Sequence, residues 1–168
     1  MIRNFGTRFH FKLERGPYSR SLGYQDEEWM SENIILNEGE RNVLDSYFRN
    51  NNNPPEFYLG LHSGTLAETA TLANVSEPSQ SGYARKQYAR NTTDFPTLVF
   101  DGDDWRVEGA AKTFTAAATW LPVNEMFLSS QSVAVVGSVI ASAALGAVRA
   151  LISQDTLTVT PKITASED

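Results

Sequence analysis

The chain has 168 residues, no cysteine, two histidines and a formal net charge of −6. That length fits one domain with a core of useful size. Without cysteine there is no disulfide framework, thiolate metal site, Fe–S cluster or cysteine nucleophile. Two histidines also rule out a three-histidine metal site within one chain.

The charge is unevenly placed. Residues 1–25 hold Arg3, Arg8, Lys12, Arg15 and Arg20 against Glu14 alone, a net +4, which leaves −10 for the rest. The N-terminus lacks the apolar core of a secretory signal. Phe5, Phe9, Phe11 and Leu13 alternate weakly with polar residues, before Gly16, Pro17, Ser19 and Gly23 break the pattern. Residues 1–33 are accordingly expected to form an extended basic arm, and residues 34–168 a folded domain. An ordered arm cannot repay its backbone entropy with a core of its own, so it should rest on its own body or on a neighbour. The contact residues expected for it are Arg3, Phe5, Arg8, Phe9, Phe11, Lys12, Arg15, Arg20 and Trp29.

A helix is expected over about 38–49. Asn37 would cap it with Glu40 at the third position, and Val43, Leu44, Tyr47 and Phe48 would supply an apolar face. Asn50–Asn53 and Pro54-Pro55 stop it.

The chain beyond this helix reads as β-structure. Phe57, Leu59 and Leu61 alternate with Tyr58, Gly60 and His62, ahead of a polar loop at about 63–81. Strand candidates come next at Tyr83–Arg90, Phe95–Phe100, Trp105–Thr115 and Trp120–Leu128, the last at an edge or starting after Pro122. No charge falls between Glu125 and Arg149. The stretch Val133–Leu145 is rich in Val and diluted by Ser, which favours one or two buried strands over a spanning helix. Leu157, Val159 and Ile163 mark a final strand. Seven or so short strands suggest a mainly β fold, an antiparallel sandwich or small barrel.

Several residues invite a chemical reading. Asp101, Asp103 and Asp104 could offer oxygen ligands to calcium, but they lack EF-hand spacing and read as a hairpin turn. His62 and Ser63 are neighbours on a strand and point to opposite faces, which suits a nucleophile and base poorly. Asp94-Phe95 and Asp104-Trp105 are loop-to-strand boundaries; a carboxylate pair for glycoside chemistry is defined by spatial separation and stays open. No phosphate-binding glycine pattern occurs. The basic segment with its aromatics could meet nucleic acid, and an acidic protein surface is the favoured partner.

From the helix onward the chain resembles a family of small virion structural proteins of tailed bacteriophages, called tail-fibre-like or head-decorating. The matching stretches are Asn37-Glu38-Gly39-Glu40, Phe48-Arg49-Asn50, Phe57–His62, Glu77-Pro78, Gly82-Tyr83-Ala84-Arg85, Phe95-Pro96, Trp120, Val139–Leu145 and Asp155–Val159. The resemblance covers about 34–165, and its most specific part is the succession YLGLH…EP…GYAR. It implies a non-enzymatic β-sandwich without cofactor, repeated on a symmetric particle after assembly in the host cytoplasm. Its partners would be the major capsid protein or tail proteins and copies of itself, with no membrane, and nucleic acid stays the less favoured partner of the basic segment. A capsid-decorating or cementing role is expected, with the arm clamping neighbouring subunits. A tail, baseplate or fibre position is the alternative, and a small carbohydrate-active or esterase-like enzyme comes after it.

Overall fold

The computed structural model describes residues 4–51, 54–100, 105–133 and 135–166. The fold is a mainly β, antiparallel sandwich. Its elements run β1 (Asn4–Glu14), α1 (Pro17–Ser21), β2 (Glu27–Ile35), α2 (Asn37–Arg49), β3 (Glu56–His62), β4 (Lys86–Ala89), β5 (Thr97–Phe100), β6 (Trp105–Glu108), β7 (Lys112–Thr115), β8 (Val123–Ser129), β9 (Val139–Arg149) and β10 (Thr156–Ser166), with a 3-10 turn at Leu72–Asn74.

One sheet carries β5, β6, β10 and β1, with β7 also on β10; the other carries β4, β3, β8 and β9. β2 belongs to both. Residues 27–32 pair with β1, and residues 33–35 pair with β9. Strands that change sheets are how sandwiches turn their corners. Phe9, Phe11 and Leu13 of β1, Leu157 and Val159 of β10 and Phe114 of β7 meet Leu59 and Leu61 of β3, Met126 of β8 and Leu145 of β9 in one core. Each such side chain contributes roughly 1.5–3 kcal/mol by leaving water.

The first 33 residues depart from the expected arm. β1 lies between β2 and β10, and pairs with β10 along its whole length, from Asn4 opposite Ser166 to Glu14 opposite Thr156. Phe9, Phe11 and Leu13 are fully buried. The weak alternation is the signature of an internal strand, with its apolar residues turned to the core. The breakers at 16–23 form a corner containing α1, not the end of order. There is no boundary at 33, because β1 and β2 are built into the sheets of the remaining chain.

Other departures are local. Leu36, not Asn37, occupies the cap position of α2, without a side-chain cap bond. The helix start is held instead by Glu38 Oε2, which accepts the Val139 N–H at 2.9 Å, and by Leu36 N–H donating to Ile140 O at 3.1 Å. Leu44 and Phe48 are exposed rather than turned to the core. The expected strand Trp105–Thr115 is broken into β6 and β7 at Gly109. There the chain passes so close to Pro161 that a Cβ would lie 2.6 Å from its Cγ. In the charge-free stretch, Val133, Val135 and Val136 are exposed, and β9 begins only at Val139. Among the described residues no helix is long and apolar enough to cross a membrane.

Candidate interaction surfaces

The motif that carries the resemblance comes together as one assembly. The loop after β3 folds back over the outer face of β3 and β8 and is clamped there by Glu77, Tyr83 and Arg85. Arg85 donates from Nε to Glu77 Oε1 at 3.0 Å and from Nη2 to Oε2 at 2.7 Å, a two-point pair. Its Nη1 reaches Gln131 O at 2.6 Å, and its guanidinium lies 5.1 Å from the Phe127 ring centroid. The Tyr83 hydroxyl donates to Glu77 and accepts the Leu61 N–H at 2.9 Å. Burial, reinforced by Glu77, pushes the Tyr83 phenol far above its ordinary pKa. Gly60 is glycine because a Cβ there would sit 2.3 Å from the Phe127 ring. Beneath the loop, Leu36, Leu66, Ala70, Leu72, Phe127 and Val139 form a second apolar cluster.

Two titratable groups lie under the same loop. His62 and Glu125 are opposite one another on β3 and β8, and both are buried. His62 Nδ1 accepts the Ser76 N–H at 2.9 Å, and Glu125 Oε2 accepts the Leu66 N–H at 2.9 Å. Burial lowers the imidazole pKa and raises the carboxyl pKa. Ser63 Oγ donates to Pro122 O at 2.8 Å, away from the imidazole. These groups pin the loop by its backbone. Sequence reasoning misses Glu125, although a carboxylate inside the apolar run VNEMFLS is the available signal.

Of the residues expected to bind a partner, Arg3 and the Phe5 side chain lie outside the described residues. Phe9 and Phe11 are core. Trp29 is half-buried and stacks on Phe11 at 5.2 Å between ring centroids. The basic residues are matched inside the chain: Arg8 with Glu32 at 3.2 Å, Lys12 with Glu14 at 3.1 Å, Arg15 with Asp155 at 2.8 Å and Arg20 with Asp26 at 2.8 Å. His10 adds a contact to Glu28 at 2.8 Å. The polarity of the sequence is thus satisfied largely within the molecule, which removes the electrostatic argument for a clamp on a neighbour.

Asp94 is held as an anion. Lys112 Nζ at 2.7 Å and the Ala89 N–H at 2.7 Å keep its pKa below the ordinary value. Asp101, Asp103 and Asp104, the calcium candidates, lie outside the described residues. Among the described residues no group of three or more His, Asp or Glu side chains is placed to hold a metal ion. A groove of about 290 Å³ runs between α2 and β3, with Val43, Pro54, Phe57 and Ile140 in its wall.

One surface has no counterpart among the sequence expectations. On the hairpin β5–β6, Leu98 lies opposite Val107 and Phe100 opposite Trp105. Val107 is in turn opposite Ile163 of β10. These positions continue the core-facing side of the first sheet past the point where the second sheet covers it. The Phe100 and Trp105 rings stand 5.6 Å apart and both are exposed. No protein-family model matches this chain, and neither does any curated protein sequence.

Proposed function

We propose that the chain is a non-enzymatic structural protein of a tailed-bacteriophage particle, most simply a capsid-decorating protein present in many copies. One observation supports this above the others: the residues that carry the resemblance form a frame. Glu77, Tyr83 and Arg85 bond to one another and to the backbone of β3 and of the segment after β8. A motif used to lock a loop over a sheet serves a scaffold, and contacts to neighbours then fall to the surface around it. Because residues 8–20 are folded into the sandwich or its corner, attachment by a free N-terminal arm is no part of the reading.

The test is to purify particles from the host that encodes the chain and quantify it against the major structural protein. A fixed, high ratio that survives density-gradient purification is expected. Recovery with isolated tails would move the site from capsid to tail. Recovery in the soluble lysate alone would end the reading.

A further inference from the structure

We infer that the open edge of β5, together with the apolar face of the β5–β6 hairpin, is a docking site for one extended, basic-flanked segment of a partner protein, added to the sheet as an extra strand. Leu98 is 67% exposed, and Phe100 and Trp105 are each 56% exposed. β5 ends its sheet and pairs on one side with β6, so alternate residues of Thr97–Phe100 present backbone N–H and C=O groups outward. Folded proteins guard such edges with charge, proline or a covering segment. The opposite end of the sheet order shows such guarding. At β4 the Ala89 N–H is taken by Asp94 Oδ2 at 2.7 Å, and the strand carries Lys86 and is followed by Arg90. The four residues of β5, Thr-Leu-Val-Phe, contain no charge themselves; Pro96 precedes them and Asp101 follows in the sequence, so the guards stand at the ends of the strand and its middle is left open.

Area and charge choose the occupant. Two half-exposed aromatic rings and one leucine offer on the order of 300 Å² of apolar surface. One side of a stable protein–protein interface buries about 800 Å². The patch is therefore too small for a globular partner or a second copy, and it matches a single added strand, whose affinity comes from backbone bonds plus alternate side chains. The sequence joining β5 to β6 is Asp101-Gly102-Asp103-Asp104, and the whole chain is at −6. That charge repels a second copy and favours lysine or arginine beside the docking strand. On the outer face, Glu108 lies between Arg106 at 2.9 Å and Lys162 at 3.5 Å, so the acidic charge that would select a basic segment is that of the sequence joining β5 to β6. The inference deepens the reading above and rests on it for the source of the segment: another protein of the particle.

The probe is a fluorescein-labelled ten-residue peptide of alternating valine and threonine with two lysines at each end, titrated against the full chain by anisotropy. A second peptide replaces the lysines with glutamates. The lysine peptide is expected to bind at least about tenfold more tightly than the glutamate peptide. A Leu98→Lys, Phe100→Lys variant, whose thermal unfolding is checked against the wild type, should weaken binding at least about tenfold. Equal binding of the two peptides, unchanged binding by a folded variant, or no binding up to about 1 mM would overturn the inference. So would a concentration-dependent dimer that the same variant abolishes, since the site would then belong to a second copy. Absence of the chain from particles would sink the functional reading and leave the peptide result standing.

Discussion

Arg15 Nη1 donates to Asp155 Oδ2 at 2.8 Å across 140 positions of sequence, with both side chains buried. The Gly16 N–H reaches Asp155 Oδ1 at 2.8 Å, and the Ile152 N–H reaches Oδ2 at 3.1 Å. The first strand thus leaves the sheet at the point where the last strand enters it, and one carboxylate fixes both. The same guanidinium also contacts the Tyr24 ring and Glu27.

Replacing Asp155 tests that junction. Burial acts to raise its pKa, but the donors, led by the Ser19 hydroxyl and followed by Gly16, Arg15 and Ile152, outweigh it, and the folded value lies below the ordinary one. Its stabilisation is then present above the unfolded pKa of about 3.9 and lost as pH falls through the folded value. Asp155→Asn is expected to cost about 3 kcal/mol at pH 7, because it leaves the buried Arg15 with only the longer carboxylate contact, to Glu27 at 3.5 Å. It should also flatten the loss of stability below pH 4. Urea midpoints at pH 7 and down to pH 2 check both. An unchanged midpoint would mean that Glu27 or solvent balances Arg15 without Asp155.

The Arg85–Glu77 pair predicts a contrast between single and double substitutions. Arg85→Ala strands Glu77 and removes the group stacked on Phe127, and a loss of about 3 kcal/mol is expected. Arg85→Met with Glu77→Gln removes both charges and keeps the volume, so it should cost distinctly less. Hydrogen exchange should quicken over residues 63–81 more than in β1 or β10. A uniform effect across the chain would contradict a local clamp.

His62 makes the clamped loop sensitive to acid. Its folded pKa is lowered chiefly by burial, partly opposed by the Ser76 N–H and by Glu77, while Glu125 faces it from β8. The unfolded chain therefore takes up a proton near pH 6.5 that the folded chain refuses, and stability falls as pH drops from about 7.5 to 5.5. Glu125 has the opposite sign. Its raised pKa favours the folded state below the unfolded value, and that contribution is lost as pH rises. In a Glu125→Gln background, which keeps an acceptor for the Leu66 N–H, the His62 dependence should stand alone. His62→Asn, which also keeps an acceptor, should then remove it. A pH dependence that persists in the double variant would show that another group carries it.

Gly60 gives a steric prediction. Gly60→Ala places a methyl group 2.3 Å from the Phe127 ring, and overpacking of this kind costs about 1–3 kcal/mol. Phe127→Leu should relieve part of that cost in the double variant, although it lowers stability by itself. Simple addition of the two single losses would argue that the close approach is accommodated elsewhere.

The sandwich class is legible in the sequence because β3, β8 and β10 carry plain alternation or dense apolar runs between turn residues. α2 is legible from its terminators. The role of β1 is not. Phe9, Phe11 and Leu13 alternate as an internal strand should, but the basic residues between them point to a solvated arm. Lys12 pairs locally with Glu14, but the carboxylate partners of Arg8, His10 and Arg15, namely Glu32, Glu28 and Asp155, lie 18 or more positions away, beyond what local pattern can link. The valine run at 133–136 misleads for the converse reason, since apolar composition does not distinguish a buried strand from an exposed loop. The clamp of Glu77, Tyr83 and Arg85 is visible as a motif, and its structural use emerges only when the loop is seen folded over Phe127. The exposed hairpin face is hidden because Leu98, Phe100 and Trp105 read as ordinary core alternation. Only the extent of the opposing sheet exposes them.

Removal of residues 1–25 separates an internal strand from an arm most directly. A free arm could be deleted with the sandwich left intact, and the truncated chain would unfold near the wild-type temperature. With β1 seated between β2 and β10, deletion removes the partner of both strands along with Phe9, Phe11 and Leu13. It also leaves Asp155 buried without Arg15 or the Gly16 N–H. The three core side chains alone contribute roughly 1.5–3 kcal/mol each, against a total of about 5–15 kcal/mol for a domain. The truncated chain is therefore expected to lack a cooperative thermal transition and dispersed amide resonances. A folded truncated protein, with wild-type circular dichroism and a sharp transition, would place residues 1–25 outside the core.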